Sequence, residues 1–429
     1  MPVSTENRDA SEPTGFIEAP PMSRASKYVF ERTGELEKKM LHTLCGYIEQ
    51  GAFEVLFWDG TEEKYGEGPS FFKLMIRDRS VIGKLVKNPA LVFGEAYTDG
   101  LIELDGQIDD VVRLLYLNKR LLDKITLGRT GQKINSLLRK VSIEKQKKDV
   151  QHHYDLGNDF FSLWLDPTMS YSCAYFQTPQ DSLEQAQLQK IDYTLQKLQL
   201  QPGQRLLDIG SGWGWLIIRA AQHYGVKATG ITVSHEQFAK AKQRIEEMQL
   251  EHLVDVKLMD YRELAKTGVH FDRIVSVGMF EHVGQVGMPL YMTAVKDMLT
   301  PGGVSLLHTI TYTTEGPTNP WVEKYIFPGS YIPTLRETIW MLPDYDFHLL
   351  DVESLRIHYA MTLDRWAENF EQSLEQVREK YDDRFIRMWR MYLQSCAGSF
   401  RHSGLAVHQI LFSKGLNNHL RLTREYTSV

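Results

Sequence analysis

Apolar positions follow two spacings along this chain, and the change between them outlines its organisation. ELEKKMLHTLCGYIEQ (35–50) has helical spacing and predicts a helix stopped by Gly51. AFEVLFWDG (52–60) predicts a strand closed by an Asp59-Gly60 turn, and PSFFKLMIRD (69–78) a second strand. SVIGKLVKNPALVFGEAYTDG (80–100) reads as a helix, a turn and an aromatic loop, which completes a small α+β domain. From about residue 150 the pattern changes. RLLDIG, KATGITVS, VDVKLMD, FDRIVSVGMF and GGVSLLHTI are short apolar runs, separated by amphipathic stretches such as HEQFAKAKQRIEEMQ. Strands alternating with helices predict an α/β fold, a doubly wound parallel sheet with helical insertions. Long helices follow around LDRWAENFEQSLEQVREKY and RFIRMWRMYLQSCAGSF, with a last strand at VHQILFS.

Residues 1–26 are polar and rich in Pro, Ser, Glu and Thr, which predicts a disordered leader. The small domain spans 27–112, a basic helical linker 113–149, and the α/β domain 150–429. Between Arg113 and Lys148 lie eleven Lys/Arg residues, opposed only by Asp123 and Glu144. That segment is either a solvated connector or a basic amphipathic surface for anionic lipid headgroups.

Composition excludes more than it assigns. Apolar residues make up 42% and charged residues 24%, which fits a globular chain with a core and argues against disorder. A net charge of −6 argues against nucleic acid as a partner. Three scattered cysteines (Cys45, Cys173, Cys396) make neither a disulfide framework nor a zinc site, and point to a reducing cytosol. No apolar run is long enough for a membrane span, and the first residues lack the form of a signal peptide.

The chemistry starts at LLDIGSGWGW (206–215). An apolar strand carries Asp208, and Gly210, Ser211, Gly212, Trp213 and Gly214 then make a glycine-rich turn opening a helix. Such turns let backbone approach a nucleotide-like ligand. The second strand closes on Gly230-Ile231-Thr232-Val233-Ser234 without the acidic residue a dinucleotide ribose requires, which favours another adenosine cofactor. Ser234 and Gln237 also fit a helix capping box, so each is either a cap or a ligand contact. Glu281-His282, after a strand, is either a structural cap or ion pair or a functional acid.

Beyond these readings, HHYDLGNDFF (152–161), YSCAYF (171–176), DYREL (260–264), DRIVSVGMFEHVG (272–284), LLHTI, EKYIFPG (323–329), HYAMTL (358–363) and CAGSF (396–400) occur in a telling order. With the glycine turn, they resemble the bacterial cyclopropane-fatty-acyl-phospholipid synthases, within the S-adenosylmethionine-dependent fatty-acid and mycolic-acid methyltransferases. NPALVFGEAYTDG (88–100) resembles the N-terminal domain of the phospholipid-acting members, which the mycolic-acid relatives lack. Ser211 departs from the family's usual Cys, and Trp215 from its frequent Gly.

The resemblance implies a class I methyltransferase (Rossmann-like) sheet of seven strands. It implies S-adenosylmethionine contacts at Tyr171, Ser172, Asp208, Gly210 to Gly214, Thr232 to Gln237, Asp260, Tyr261 and Arg262. It implies bound bicarbonate as proton acceptor, held by Cys173, Glu281, His308, the backbone of Ile310 and Tyr359, with Cys396 nearby. Cys396 is either a nucleophile or a buried small residue, and direct methyl transfer favours the second. His153 belongs to a block near the cofactor, whereas His223, His235, His270 and His402 read as surface residues. Tyr171, Tyr175, Phe176, Phe280, Tyr312, Tyr325 and Phe327 offer aromatic faces for a cationic intermediate. The expected activity is methylenation of cis double bonds in phospholipid acyl chains, by a cytoplasmic homodimer at the inner membrane face. A methyl-branching relative and a catalytically dead lipid-binding protein are the alternatives.

Overall fold

The computed structural model describes residues 34–122 and 156–424. Most of the basic stretch, including Lys124 and Arg129, and also His153 lie outside the described residues.

Strands β1 (Ala52–Leu56), β2 (Glu62–Gly66), β3 (Ser70–Ile76) and β4 (Ile102–Asp105) form a sheet in the order β2-β1-β3-β4. Alternating burial along β3 turns Phe72, Leu74 and Ile76 inward. Helices α1 (Glu35–Cys45), α2 (Ser80–Lys87), α3 (Pro89–Thr98) and α4 (Ile108–Leu117) complete this domain. Three expectations change. The first helix stops at Cys45, capped by Gly46 and not by Gly51. The aromatic loop is helix α3, because Pro89 occupies the first turn, where its missing N–H costs nothing. Polar β2, between the two expected strands, is an edge strand with little apolar signal. Helix α4 runs through residue 112, so Arg113 is part of this domain and its guanidinium lies over the Phe71 ring.

The second domain holds seven strands: β5 (Arg205–Ile209), β6 (Lys227–Thr232), β7 (Val254–Leu258), β8 (Phe271–Val277), β9 (Leu299–Thr311), β10 (Phe347–Ser354) and β11 (Ala406–Lys414). Their order is β10-β11-β9-β8-β5-β6-β7, and β11 runs antiparallel to both its neighbours. This is the class I methyltransferase sheet, in which the order of strand addition reverses between β5 and β8, so that a crevice opens at the strand ends there. The connecting helices are α5 (Asn158–Ser162), α6 (Leu183–Lys197), α7 (Trp215–Tyr224), α8 (His235–Glu247), α9 (Tyr261–Ala265), α10 (Met288–Met298), α11 (Pro320–Tyr325) and α12 (Leu335–Met341). Helices α13 (Arg356–Gln372), α14 (Leu374–Arg378) and α15 (Asp383–His402) form the inserted helical layer between β10 and β11. Sequence reading named neither α6 nor β10; most of β10 faces solvent or is half-buried.

An aromatic core joins α5, α13 and α15, where Trp164, Trp366 and Trp389 are almost wholly buried and meet edge to face. The outer side of α15 carries the small domain. Arg387 donates to the carbonyls of Tyr97 at 2.6 Å and Ile102 at 3.0 Å. Gly398 lets Val112 and Asp109 approach so closely that a Cβ would stand 3.1 Å from Val112. His402, expected on the surface, is half-buried here and hydrogen-bonds Asp109 at 2.9 Å. Among the described residues no helix is long and apolar enough to cross a membrane, and no cluster of metal-binding side chains occurs.

Candidate active site

A cavity opens at the C-terminal ends of β5, β6 and β8, lined by Asp208, Gly210, Gly212, Thr232, Gln237 and Asp260, among others. The turn after β5 is fixed by its own backbone, since the N–H groups of Gly210 and Ser211 both donate to the Ile231 carbonyl at 3.0 Å. Its glycines then differ in what they face. A Cβ on Gly214 would stand 2.9 Å from the Ala241 Cβ, whereas a Cβ on Gly212, at φ +53°, would meet no protein atom within 4 Å. Gly214 therefore lets α7 pack against α8 and does not line the cavity. Gly212 keeps open space for a ligand.

The other expected contacts gather around this turn. Tyr171, Ser172, Ser211, Trp213, Tyr261 and Arg262 all line the cavity. Asp260 stands two residues past β7, where it caps α9 and forks with Arg262, Oδ2 to Nη2 at 2.7 Å. Ser234 caps α8 by accepting from the Gln237 N–H at 3.3 Å. The capping box is only half made, because the Gln237 side chain turns to Thr232, whose hydroxyl donates to its Oε1 at 2.8 Å. Gln237 and Thr232 reach the cavity. Trp215, a departure from the family, also lines it, beneath the Arg244 guanidinium at 5.4 Å from the ring centroid.

Sequence reasoning missed Lys190. It projects from α6 into the cavity wall and donates to the Ser172 hydroxyl at 2.9 Å. Burial lowers its pKa to about 8 and raises that of Asp208 to about 7, each opposed by the other's charge. Asp208 Oδ1 has no hydrogen-bond partner. The available signal was a run of Gln187, Lys190, Thr194 and Lys197, polar residues at helical spacing that are all buried in the fold.

The cavity fits S-adenosylmethionine. It offers an open glycine cradle at Gly212, a carboxylate at Asp260 beyond the third strand, and an unpartnered buried oxygen on Asp208.

Beside it lies a second group of side chains. Glu281, in a single turn after β8, is buried and accepts from the Ile310 N–H at 2.5 Å through Oε1. Its Oε2 is buried without a partner. The Ile310 N–H, expected to face an anion, is thus occupied by Glu281. His308 lies two residues earlier on the same face of β9 and is buried. Tyr359 of α13 packs against Trp366 and Phe400, and Tyr171 packs on the same Trp366. Burial, with Tyr171, Cys173, Glu281 and Cys396 nearby, opposes ionisation of the Tyr359 phenol. Cys173 turns its thiol toward the Ala174 carbonyl at 3.3 Å. The Tyr171 and Tyr392 hydroxyls hydrogen-bond at 2.7 Å.

Burial pushes all these groups toward neutrality. The pKa of Glu281 is raised, that of His308 falls to about 3, and those of Tyr359 and Cys173 rise. An enclosure of neutral donors with one orphaned carboxyl oxygen fits a small anion bearing a hydroxyl, as bicarbonate does. Cys396 is likewise held as a thiol, its pKa pushed up to about 12, which disfavours a nucleophilic role. Not every aromatic expected here arrives. Phe280 packs against Tyr291 in the sheet core, Tyr175 stacks on Tyr193 and His358, and Tyr325 hydrogen-bonds Glu95 of the small domain.

A family model described as mycolic acid cyclopropane synthetase matches residues 141–410, and one described as a domain of unknown function matches residues 40–123. The chain is 39% identical to the cyclopropane-fatty-acyl-phospholipid synthase of Escherichia coli K12, over 83% of this chain and 89% of that one. It is 35% identical to a probable fatty acid methyltransferase of Pseudomonas putida, over 83% and 90% of the two chains. Among solved structures, the mycolic acid cyclopropane synthase CmaA1 complexed with SAH and CTAB matches with a TM-score of 0.59 at 34% identity. That match covers 62% of this chain and 98% of the other.

Proposed function

Because this chain belongs to the mycolic acid cyclopropane synthetase family, and is thus an S-adenosylmethionine-dependent methyltransferase, we propose that it methylenates cis double bonds in phospholipid acyl chains with bicarbonate as proton acceptor. The observation that carries this reading is Glu281, whose buried Oε2 has no partner beside the cofactor cavity. An alkene has no proton to lose before it attacks, so the base is needed only afterwards, to take a proton from the new methyl group and let the ring close.

S-adenosylmethionine supplies the electrophilic methyl group when bound, and Gly210, Gly212, Thr232, Gln237 and Asp260 are the residues that hold it. Bicarbonate, when bound, supplies the proton acceptor. Glu281, through its unpartnered Oε2, would hold and orient the ion. The Ile310 N–H fixes Glu281 itself. Tyr359 and His308, kept neutral by burial, offer donors without adding charge. Tyr171, Tyr359 and Tyr392 put electron-rich faces and hydroxyls around the reacting carbons, and the aromatic core behind them excludes water. In this reading a homodimer works at the bilayer face, and sedimentation at working concentration tests that state.

The test is incubation with unsaturated phospholipid vesicles and methyl-labelled S-adenosylmethionine, followed by mass spectrometry of the acyl chains. Labelled cyclopropane fatty acids, with a rate that falls on removing carbon dioxide and recovers with added bicarbonate, are expected. Unlabelled chains would overturn the reading. A second reading, methyl branching of the same alkene, has support from the fatty acid methyltransferase of Pseudomonas putida noted above. Branched product in the same assay would select it.

A further inference from the structure

The orientation of His308 is set by a chain of hydrogen bonds whose direction is fixed at one end. It begins at a backbone carbonyl, which can only accept. The Thr194 hydroxyl lies 2.7 Å from the Lys190 carbonyl oxygen, so the hydroxyl proton is committed there. What remains on that oxygen is lone pairs, and the next atom along must be a donor. It is Gln409 Nε2, at 3.3 Å. The reverse amide orientation would set a carbonyl oxygen against lone pairs, which fixes Nε2 toward the Thr194 hydroxyl. Gln409 Nε2 has a second proton, and 3.3 Å away stands His308 Nδ1. Nδ1 therefore accepts, and the single ring proton belongs on Nε2.

The fold makes this chain possible. Gln409 and His308 are direct cross-strand partners between β11 and β9, so their side chains stand together on one face. Thr194 comes down onto that face from α6. All three residues are buried, with relative exposures of 0–2%. Gln409 Oε1 has no hydrogen-bond partner, so the amide is held by its donors alone.

We propose that Thr194 and Gln409 are positioning residues that hold His308 as the neutral Nε2–H tautomer, so that it offers a donor and not a base to the anion pocket. The proposal rests on the reading of His308 as part of that pocket, but the tautomer can be read without it. Burial and the nearby charges of Lys190 and Lys197 oppose protonation of the ring, which keeps the tautomer question meaningful at neutral pH. In metal sites, losing the partner that fixes a ligand histidine's tautomer commonly costs roughly 10- to 100-fold in activity.

The experiment uses the full chain labelled with ¹⁵N-histidine, with the His308 signals identified by their loss in His308→Gln. Two-bond nitrogen–proton correlation should show the Nε2–H pattern in the wild type at neutral pH. Thr194→Val should mix the tautomers, because the freed amide can flip, and Thr194→Ser should restore the wild-type pattern. Gln409→Glu should move the proton toward Nδ1. In Thr194→Val, turnover should fall roughly tenfold with cofactor affinity unchanged. A wild-type Nδ1–H pattern, or a pattern unmoved in both Thr194→Val and Gln409→Glu, would overturn the proposal. Added bicarbonate should shift the Nε2 signal. An Nε2–H tautomer that ignores bicarbonate upholds the relay and removes the anion reading instead.

Discussion

The cofactor cavity and the neighbouring side-chain pocket share a wall at Ser172 and Cys173, yet they are built by different means. The cavity is framed by backbone, a glycine turn, strand ends and short caps, with polar side chains such as Asp208, Gln237 and Asp260 set around an open space. The pocket is side chains, four ionisable groups that burial pushes toward their uncharged forms. One recognises by leaving space. The other, in the proposed reading, would receive a single negative charge by suppressing its own. A substitution should therefore fail in the cavity by steric exclusion and in the pocket by a wrong charge or a missing hydrogen bond.

The largest effect should come from Gly212→Val. Its Cβ meets no protein atom within 4 Å, so the fold survives while the side chain fills the ligand's space and strains a φ of +53°. Calorimetry should detect no cofactor binding, with a near-wild-type melting profile; near-normal affinity would mean that the turn does not recognise the cofactor by leaving space. Glu281→Ala should do the opposite. Cofactor binding should persist while turnover falls on the order of a hundredfold or more. With the acceptor crippled, some product should leak to methyl-branched alkenes or alcohols, visible by mass spectrometry. Full activity in this variant would remove the pocket from the chemistry.

A third measurement tests neutrality itself. The folded pKa of His308, about 3, lies below its ordinary 6.5. Its contribution to stability is then fully present above pH 6.5 and is lost as pH falls from there toward 3. Between pH 7 and pH 5 that loss is roughly 2 kcal/mol, and His308→Gln cannot suffer it. The stability gap between wild type and variant, from chemical denaturation, should change by about that amount across the interval. Parallel pH profiles would mean the ring is not held neutral. The smallest effect belongs to Ser211→Cys. The Ser211 hydroxyl reaches the Ile231 carbonyl only at 3.4 Å, a marginal bond, so cofactor affinity should move by less than about threefold. A larger change in calorimetry would show that this family departure tunes the cavity.

The same contrast explains what could be read from sequence. The glycine turn, Asp208, Thr232 and Gln237 lie within or beside single strands, and local pattern marks them. The pocket draws Cys173, Glu281, His308 and Tyr359 from distant parts of the chain, and no periodicity connects them; only resemblance brought them together. The alternation of strands and helices in the large sheet was legible in the apolar runs, whereas the order of its strands was not. Helix α3 escaped because its apolar residues are nearly continuous and give no polar face to contrast. Strands β2 and β10 escaped because edge positions tolerate polar residues on both faces. Lys190, Thr194 and Gln409 were invisible for another reason. A buried polar side chain looks like a solvated one until the fold shows what it faces.

Helix α15 has a consequence for how this chain can vary through descent. Arg387, Gly398 and Arg401 answer to the small domain, through Tyr97, Ile102, Val112 and Asp109. Trp389, Tyr392, Cys396 and Phe400, about half a turn away on the opposite face, answer to the aromatic core and to Tyr171 and Tyr359. Two stripes of one helix thus carry two separate selections. A lineage that loses the small domain must rewrite the first stripe for water without disturbing the second, while one that keeps the domain must let both units drift in step. The small domain is therefore no interchangeable appendage, and its history should be recorded in the spacing of substitutions along a single helix.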